Sequence, residues 1–201
     1  MARRFTLVAL LALLLVPVAH ADGDPASDYL LTQQTFVPPD LGISKSDQQR
    51  LEETVSLAHA RGFPIRVAVI GSTYDLGSVG SLMGKPKEYA RFLGQELRLV
   101  YHGRLLIVMP NGFGTSTNGK ATPADQTVVD KLRAPGKNGG DLVQGAIDGV
   151  HALAKAHGVT VPVVAARGGS SHTGVWLLGG LALLAILVAV GVGFVISRRR
   201  R

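Results

Sequence analysis

The chain has 201 residues, a formal net charge of +7 and no cysteine. The lack of cysteine excludes disulfides, Zn–thiolate sites and thiol nucleophiles. Six of the 21 basic residues are Arg3, Arg4 and the four C-terminal arginines, which leaves 15 basic against 14 acidic residues. Because this remainder is near neutral and its basic residues form no stripe, we expect no nucleic-acid partner.

Residues 1–21 have the pattern of a secretory signal peptide. Two arginines precede an apolar run over residues 5–16, and Ala19-His20-Ala21 has the small-x-small pattern that signal peptidase favours. The pattern predicts cleavage after Ala21. The paired arginines leave twin-arginine export open as an alternative, although the hydrophobicity of the run favours the general secretory route.

The first half of the exported region predicts one helix and one buried strand. Residues 44–61 have an apolar stripe and a capping-box spacing between Ser46 and Gln49, and Gly62 ends the helix. Residues 65–70 are a short, β-branched apolar run, as expected for a strand covered on both faces.

A second helix and a central strand follow a glycine-rich loop. Residues 71–84 predict the loop, and the helix begins near Pro86 and stops near His102. Residues 105–109 form another continuous apolar run and predict a central buried strand.

Residues 111–122, rich in Gly, Ser, Thr and Asn, predict a loop that leads into two further helices. The first helix begins near Pro123, with Val128 and Leu132 inward, and the second spans residues 141–157. Alternating strands and helices predict an α/β fold with a small sheet packed between helices. Residues 159–165 could add an edge strand or serve as a tether.

Residues 174–196 carry no charge and predict a transmembrane helix. About twenty-three residues at a rise of 1.5 Å each span the ~30 Å hydrocarbon core of a bilayer. Arg198, Arg199, Arg200 and Arg201 follow, and basic residues stay on the cytoplasmic side. We therefore expect a single-pass protein of the cell membrane, with its domain outside and its C-terminus in the cytoplasm.

These segments divide the chain into six parts. We expect a signal peptide (1–21), an N-terminal extension (22–35), an extracytoplasmic α/β domain (36–158), a linker (159–173), the transmembrane helix (174–196) and a cytoplasmic tail (197–201).

The exported domain resembles the TPM-domain family. The resemblance covers roughly residues 36–157 and rests on the following stretches: Pro39-Asp40-Leu41-Gly42, Ile65-Arg66-Val67-Ala68-Val69, Lys87-Glu88-Tyr89-Ala90, Leu105-Leu106-Ile107-Val108, Gly112-Phe113-Gly114 and Gly140-Asp141-Leu142-Val143-Gln144-Gly145. It implies an exported domain with a small sheet between helices and, often, one transmembrane anchor after it.

The resemblance leaves the activity open. Thylakoid-lumen members act in photosystem repair and have been assigned acid phosphatase activity, whereas an animal member is an accessory protein of a receptor channel. This chain also departs from the family, because Met109-Pro110-Asn111 leads directly to Gly112-Phe113-Gly114. We therefore expect the partner strand of the family's hairpin to be lost or shortened.

The sequence offers one low-specificity candidate for a metal site. Ligands of α/β sheets gather outside the carboxyl ends of the strands, where Asp75, Asn111 and Asp125 are the oxygen donors. These residues could hold Ca²⁺ or Mg²⁺ and support a phosphatase. The alternative, which we favour, is that Asp75 forms a turn and Asp125 begins a helix.

We expect binding rather than catalysis. No histidine pair has a metal-ligand spacing, no serine stands in a nucleophile elbow, and no cofactor is required by any motif. The predicted function is that of an accessory protein that binds another membrane or envelope protein in assembly or quality control. The alternatives are a metal-assisted acid phosphatase and a purely structural envelope protein.

Overall fold

The computed structural model describes residues 23–165 of the chain, which form an α/β fold with a five-stranded sheet between helices. The predicted α/β fold with a small sheet between helices is confirmed. The strands are β1 (Thr35–Phe36), β2 (Ile65–Val69), β3 (Arg104–Met109), β4 (Gly112–Thr117) and β5 (Lys120–Ala121). The α-helices are α1 (Pro25–Leu30), α2 (Lys45–Ala60), α3 (Pro86–Glu96), α4 (Pro123–Val129) and α5 (Gly139–Ala156), and 3₁₀ segments cover Pro39–Leu41, Thr73–Leu82 and Leu97–Leu99.

The strands lie in the order β1-β2-β3-β4-β5. Strands β1, β2 and β3 are parallel, and β4 and β5 continue the sheet in antiparallel fashion. Strand β3 is therefore central, as predicted. The parallel strands give the sheet a carboxyl edge, next to Val69 and Met109, and an amino edge, next to Ile65 and Arg104.

The core lies on both faces of the sheet. Side chains of Val67 and Leu106 pack on one face with helices α2 and α5. Their neighbours Ala68 and Ile107 pack on the other face with α1 and α3. Because helices cover both faces, both sides of β2 and β3 must be apolar, which explains why these strands read as continuous hydrophobic runs.

The two parallel crossovers have opposite hands. The chain moves in the same direction across the sheet from β1 to β2 and from β2 to β3. However, α2 of the first crossover and α3 of the second pack on opposite faces. One crossover is therefore left-handed, which is rare in parallel sheets.

The prediction that residues 111–122 form a loop is wrong. Strand β4 pairs with β3 along its whole length, from Met109↔Gly112 to Arg104↔Thr117. The expected loss or shortening of the hairpin is also wrong, because Gly112-Phe113-Gly114 is itself the start of the returning strand. A two-residue turn joins the strands, and the turn between β4 and β5 has Asn118 and Gly119 at φ of 52° and 69°.

Small side chains allow helix α3 to lie directly on β4. A Cβ at Gly114 would meet the carbonyl oxygen of Pro86 in the first turn of α3. Ser116 Oγ donates a hydrogen bond of 2.6 Å to the carbonyl of Ala90 in the same helix. This close packing explains why β4 has the composition of a loop.

The N-terminal residues of the described region pack onto the sheet. Ala26 and Leu30 of α1 are fully buried, and β1 begins at Thr35, inside the range that we assigned to an extension. The N-cap of α2 lies two residues before the predicted capping box, since Ser44 Oγ, not Ser46, accepts from the backbone N–H of Asp47 at 3.1 Å. Residues 159–165 contain no strand, although Val161 is buried against the core.

Candidate functional site

Asp75 follows β2 at the carboxyl edge, as predicted, and is 6% exposed. Its Oδ2 accepts hydrogen bonds from the backbone N–H groups of Gly71 at 2.7 Å and Ser72 at 2.8 Å. Carboxylate oxygens that accept from nearby backbone N–H groups stabilise a turn. The contacts of Asp75 are therefore those of a residue that shapes its own loop.

Asn111 also lies at the carboxyl edge, in the turn between β3 and β4. Its Nδ2 donates a hydrogen bond of 2.6 Å to the carbonyl of Gly84. A cavity of about 460 Å³ adjoins it and includes Lys87 and Asp130, which form an ion pair at 2.9 Å. Hydrogen bonds from Lys87 and Gln126 lower the pKa of Asp130.

Asp125 lies at the amino edge instead, where it forms a cluster with Arg104 and His157. Its Oδ1 is 2.7 Å from His157 Nε2, and its Oδ2 is 3.7 Å from Arg104 Nε. An Arg104 terminal nitrogen is 3.2 Å from His157 Nδ1. Since Arg can only donate, Nδ1 is the acceptor and the Nε2–H donates to Asp125.

This cluster is arranged for stability rather than for proton transfer. A histidine acting as a general base needs a free nitrogen within reach of a substrate. Both ring nitrogens of His157 have partners within the cluster. The cluster instead joins the end of α5 to the start of α4 and to β3.

Asp75 and Asp125 therefore do not share a site. Asp75 caps a loop after the carboxyl end of β2, whereas Asp125 contacts the first residue of β3, at the opposite edge of the same parallel pair. Within residues 23–165, no group of three or more His, Cys, Asp or Glu side chains could hold a metal ion. The binding of Ca²⁺ or Mg²⁺ stays a prediction, without a common site for these two carboxylates.

A groove lies beside the outermost strand, β1. It has a volume of about 380 Å³ and is bounded by the segment around β1 and by helix α2. We call it the β1 groove; its lining residues are Tyr29, Thr32, Gln33, Gln34, Thr35, Val37, Gln48 and Glu52. Amide and hydroxyl groups dominate this lining, and Glu52 is its one carboxylate.

A buried polar contact joins Asp24 to Tyr89 and was not predicted from the sequence. The Tyr89 hydroxyl donates to both Asp24 carboxylate oxygens, at 2.7 and 2.8 Å, and Asp24 also caps α1 through the N–H of Ala26. Burial raises the pKa of Asp24 to about 6, despite these hydrogen bonds, which lower it. In the sequence, Asp24-Pro25 is the relevant signal, because an N-cap residue followed by proline indicates the start of a helix.

The predicted topology signals fall outside residues 23–165. These are the signal peptide with its cleavage after Ala21, the transmembrane helix over residues 174–196, and Arg198–Arg201. In the part of the chain that the structure describes, no helix is both long enough and apolar enough to cross a membrane.

Comparison of the chain with protein-family models gives no match, and comparison with curated proteins gives none either. The resemblance to TPM domains therefore stays a prediction.

Proposed function

We propose that the chain is a single-pass membrane protein whose extracytoplasmic, TPM-like domain binds another membrane or envelope protein. Its role would be that of an accessory factor in assembly or quality control. The signal-peptide pattern of residues 1–21 and the apolar span 174–196 with its terminal arginines support the location. The small sheet between two helical layers is compatible with the family resemblance.

The observation that carries the binding proposal is the β1 groove. Strand β1 ends the sheet on one side, and no strand of residues 23–165 pairs with its outer side. An unpaired edge can accept an extended segment from another chain, whose backbone then supplies hydrogen bonds. Gln33, Gln34 and Gln48 add side-chain donors and acceptors beside this edge.

The same groove is poorly suited to catalysis. Pockets for small substrates are mostly apolar, with a few convergent polar or titratable groups. In the β1 groove Glu52 already accepts a hydrogen bond of 2.9 Å from Gln48. A single carboxylate among neutral amides and hydroxyls has no convergent charged partner, and such a lining favours adaptable hydrogen bonding to a protein segment over acid–base chemistry.

Site-specific photo-crosslinking of the full chain in its native membrane tests the proposal. A photoreactive residue at Gln33 and another at Gln48, on opposite walls of the groove, should each give an adduct with the same partner. Gln49 is the matched control, because it is also an exposed glutamine of α2 but does not line the groove. Adducts of equal yield at Gln49, or none at Gln33 and Gln48, would contradict the proposal.

A further inference from the structure

Four exposed apolar side chains lie in segments at the amino edge of the sheet. Six large hydrophobic residues are exposed in residues 23–165, and four of them lie in segments that end or begin at this edge. We call these four the amino-edge patch: Leu31 (45% exposed), Leu99 (90%), Val100 (55%) and Val163 (84%). Of the other two, Tyr29 lines the β1 groove and Tyr74 follows β2 at the carboxyl edge.

Contacts of neighbouring residues place each member at this edge. Leu31 follows Leu30, whose carbonyl accepts from Arg66 near the start of β2. Leu99 and Val100 end the segment after α3, and the next residue, Tyr101, donates to the carbonyl of Arg104 at 2.8 Å. Val163 follows Thr160, whose carbonyl accepts from Arg61 at the end of α2.

The edge also carries a net positive charge. Four exposed basic residues lie there, at the ends of α2, α3 and α5 and on β5: Arg61, Arg98, Lys155 and Lys120. The exposed acidic residues in the same segments are Glu96 and Asp28, while Asp125 is paired with Arg104 and His157. Exposed apolar side chains flanked by basic residues are typical of surfaces that bind anionic lipid.

The chain leaves the domain at this same edge. The N–H of Val159 donates to the carbonyl of Ala154 at the end of α5, and Val161 is the last buried residue within the described range 23–165. Twelve residues, 162–173, then precede the predicted anchor. A segment of twelve residues spans at most about 40 Å when fully extended, so a chain anchored as proposed keeps its exit edge within that distance of the bilayer.

We infer that the amino edge is a lipid-binding face, which rests on the bilayer with the amino-edge patch in the interfacial region and the basic residues at anionic headgroups. This inference depends on the proposed membrane anchor. A lipid-binding amino edge would also fix the orientation of the domain. Strand β1 would extend away from the bilayer, and the carboxyl edge, with Asp75 and Asn111, would lie farthest from it.

The test uses the full chain reconstituted in phosphatidylglycerol-containing vesicles. Because the chain has no cysteine, Leu99→Cys and Tyr74→Cys each provide a single site for a polarity-sensitive fluorophore. The two positions are matched in exposure, at 90% and 88%, but lie at opposite edges of the sheet. Brominated lipids, which quench within the bilayer, report contact, and flotation of the vesicles reports anchoring.

We expect quenching at position 99 to exceed that at position 74 about twofold or more, and to fall when Arg98→Gln is added or when neutral lipid replaces phosphatidylglycerol. Protein that floats with the vesicles but shows equal quenching at both positions would overturn the lipid face and leave the anchor intact. A blue-shifted label at position 99 without quenching would assign the face to a second copy and overturn the inference. Protein that does not float would overturn the anchor as well.

Discussion

At the residue scale, the titration of the Asp24 carboxyl group, which is buried against Tyr89, couples pH to stability. Its pKa is about 6 in the folded chain, against an ordinary value of 3.8. At a pH between these two pKa values, the folded chain binds more protons than the unfolded chain, so the free energy of unfolding falls as pH rises. The loss approaches roughly 2–3 kcal/mol above pH 7, at 1.4 kcal/mol per pKa unit.

We expect Asp24→Asn to remove this loss, because an amide of the same shape keeps hydrogen-bonding atoms near Tyr89 and Ala26 without a charge to desolvate. Urea unfolding at pH 4.5 and pH 7.5 measures the effect. Asp40→Asn, an exposed change whose charge does not act on Asp24, should keep the pH dependence of the unchanged chain. An identical pH dependence in Asp24→Asn would show that this carboxylate is not the cause.

Asp125 should act as a structural residue. Its side chain is 10% exposed and contacts His157 and Arg104. Asp125→Ala leaves the His157 Nε2–H without its acceptor and Arg104 without its nearby negative charge, and we expect the free energy of unfolding to fall by about 1–3 kcal/mol. Asp130→Ala, which breaks an ion pair with side chains 47% and 54% exposed, should cost about 1 kcal/mol or less. Equal losses for the two variants in urea titrations would contradict the role assigned to Asp125.

At the element scale, the strands β2 and β3 could be predicted from the sequence because burial on both faces leaves a continuous apolar run. Strand β4 could not, since close packing under α3 selects Gly, Ser and Thr, which are also the residues of loops. The turn signal Asn118-Gly119 was present and indicates a hairpin. Strand β1 has only two residues, so no period was available to detect it.

The packing of α3 on β4 gives a further prediction. A Cβ at Gly114 would collide with backbone atoms of Pro86 and Lys87, which cannot rotate away as a side chain could. We expect Gly114→Ala to lower the free energy of unfolding by about 1–3 kcal/mol. Gly140→Ala, in the first turn of α5, meets only an ordinary contact at 3.6 Å and should be neutral or slightly stabilising. A neutral Gly114→Ala would show that α3 can move away from the sheet.

At the scale of the whole molecule, the sequence indicated a fold and a location but not a site. Three oxygen donors were predicted to share a rim, yet Asp125 contacts the opposite edge from Asp75. The reason is that β4 runs antiparallel to β3 and returns the chain to the amino edge before α4 begins. Because β4 has the composition of a loop, the sequence did not reveal this return. The β1 groove was likewise hidden, because residues before β1 carried no strong pattern.

The proposed function requires the domain to lie on the outer side of the membrane. A single cysteine at Lys137, an exposed loop position, and another appended after Arg201 can be probed in intact cells with a membrane-impermeant maleimide. We expect labelling at position 137 in intact cells, and labelling after Arg201 only once the membrane is opened. Labelling at position 137 only after lysis would place the domain in the cytoplasm and contradict the account.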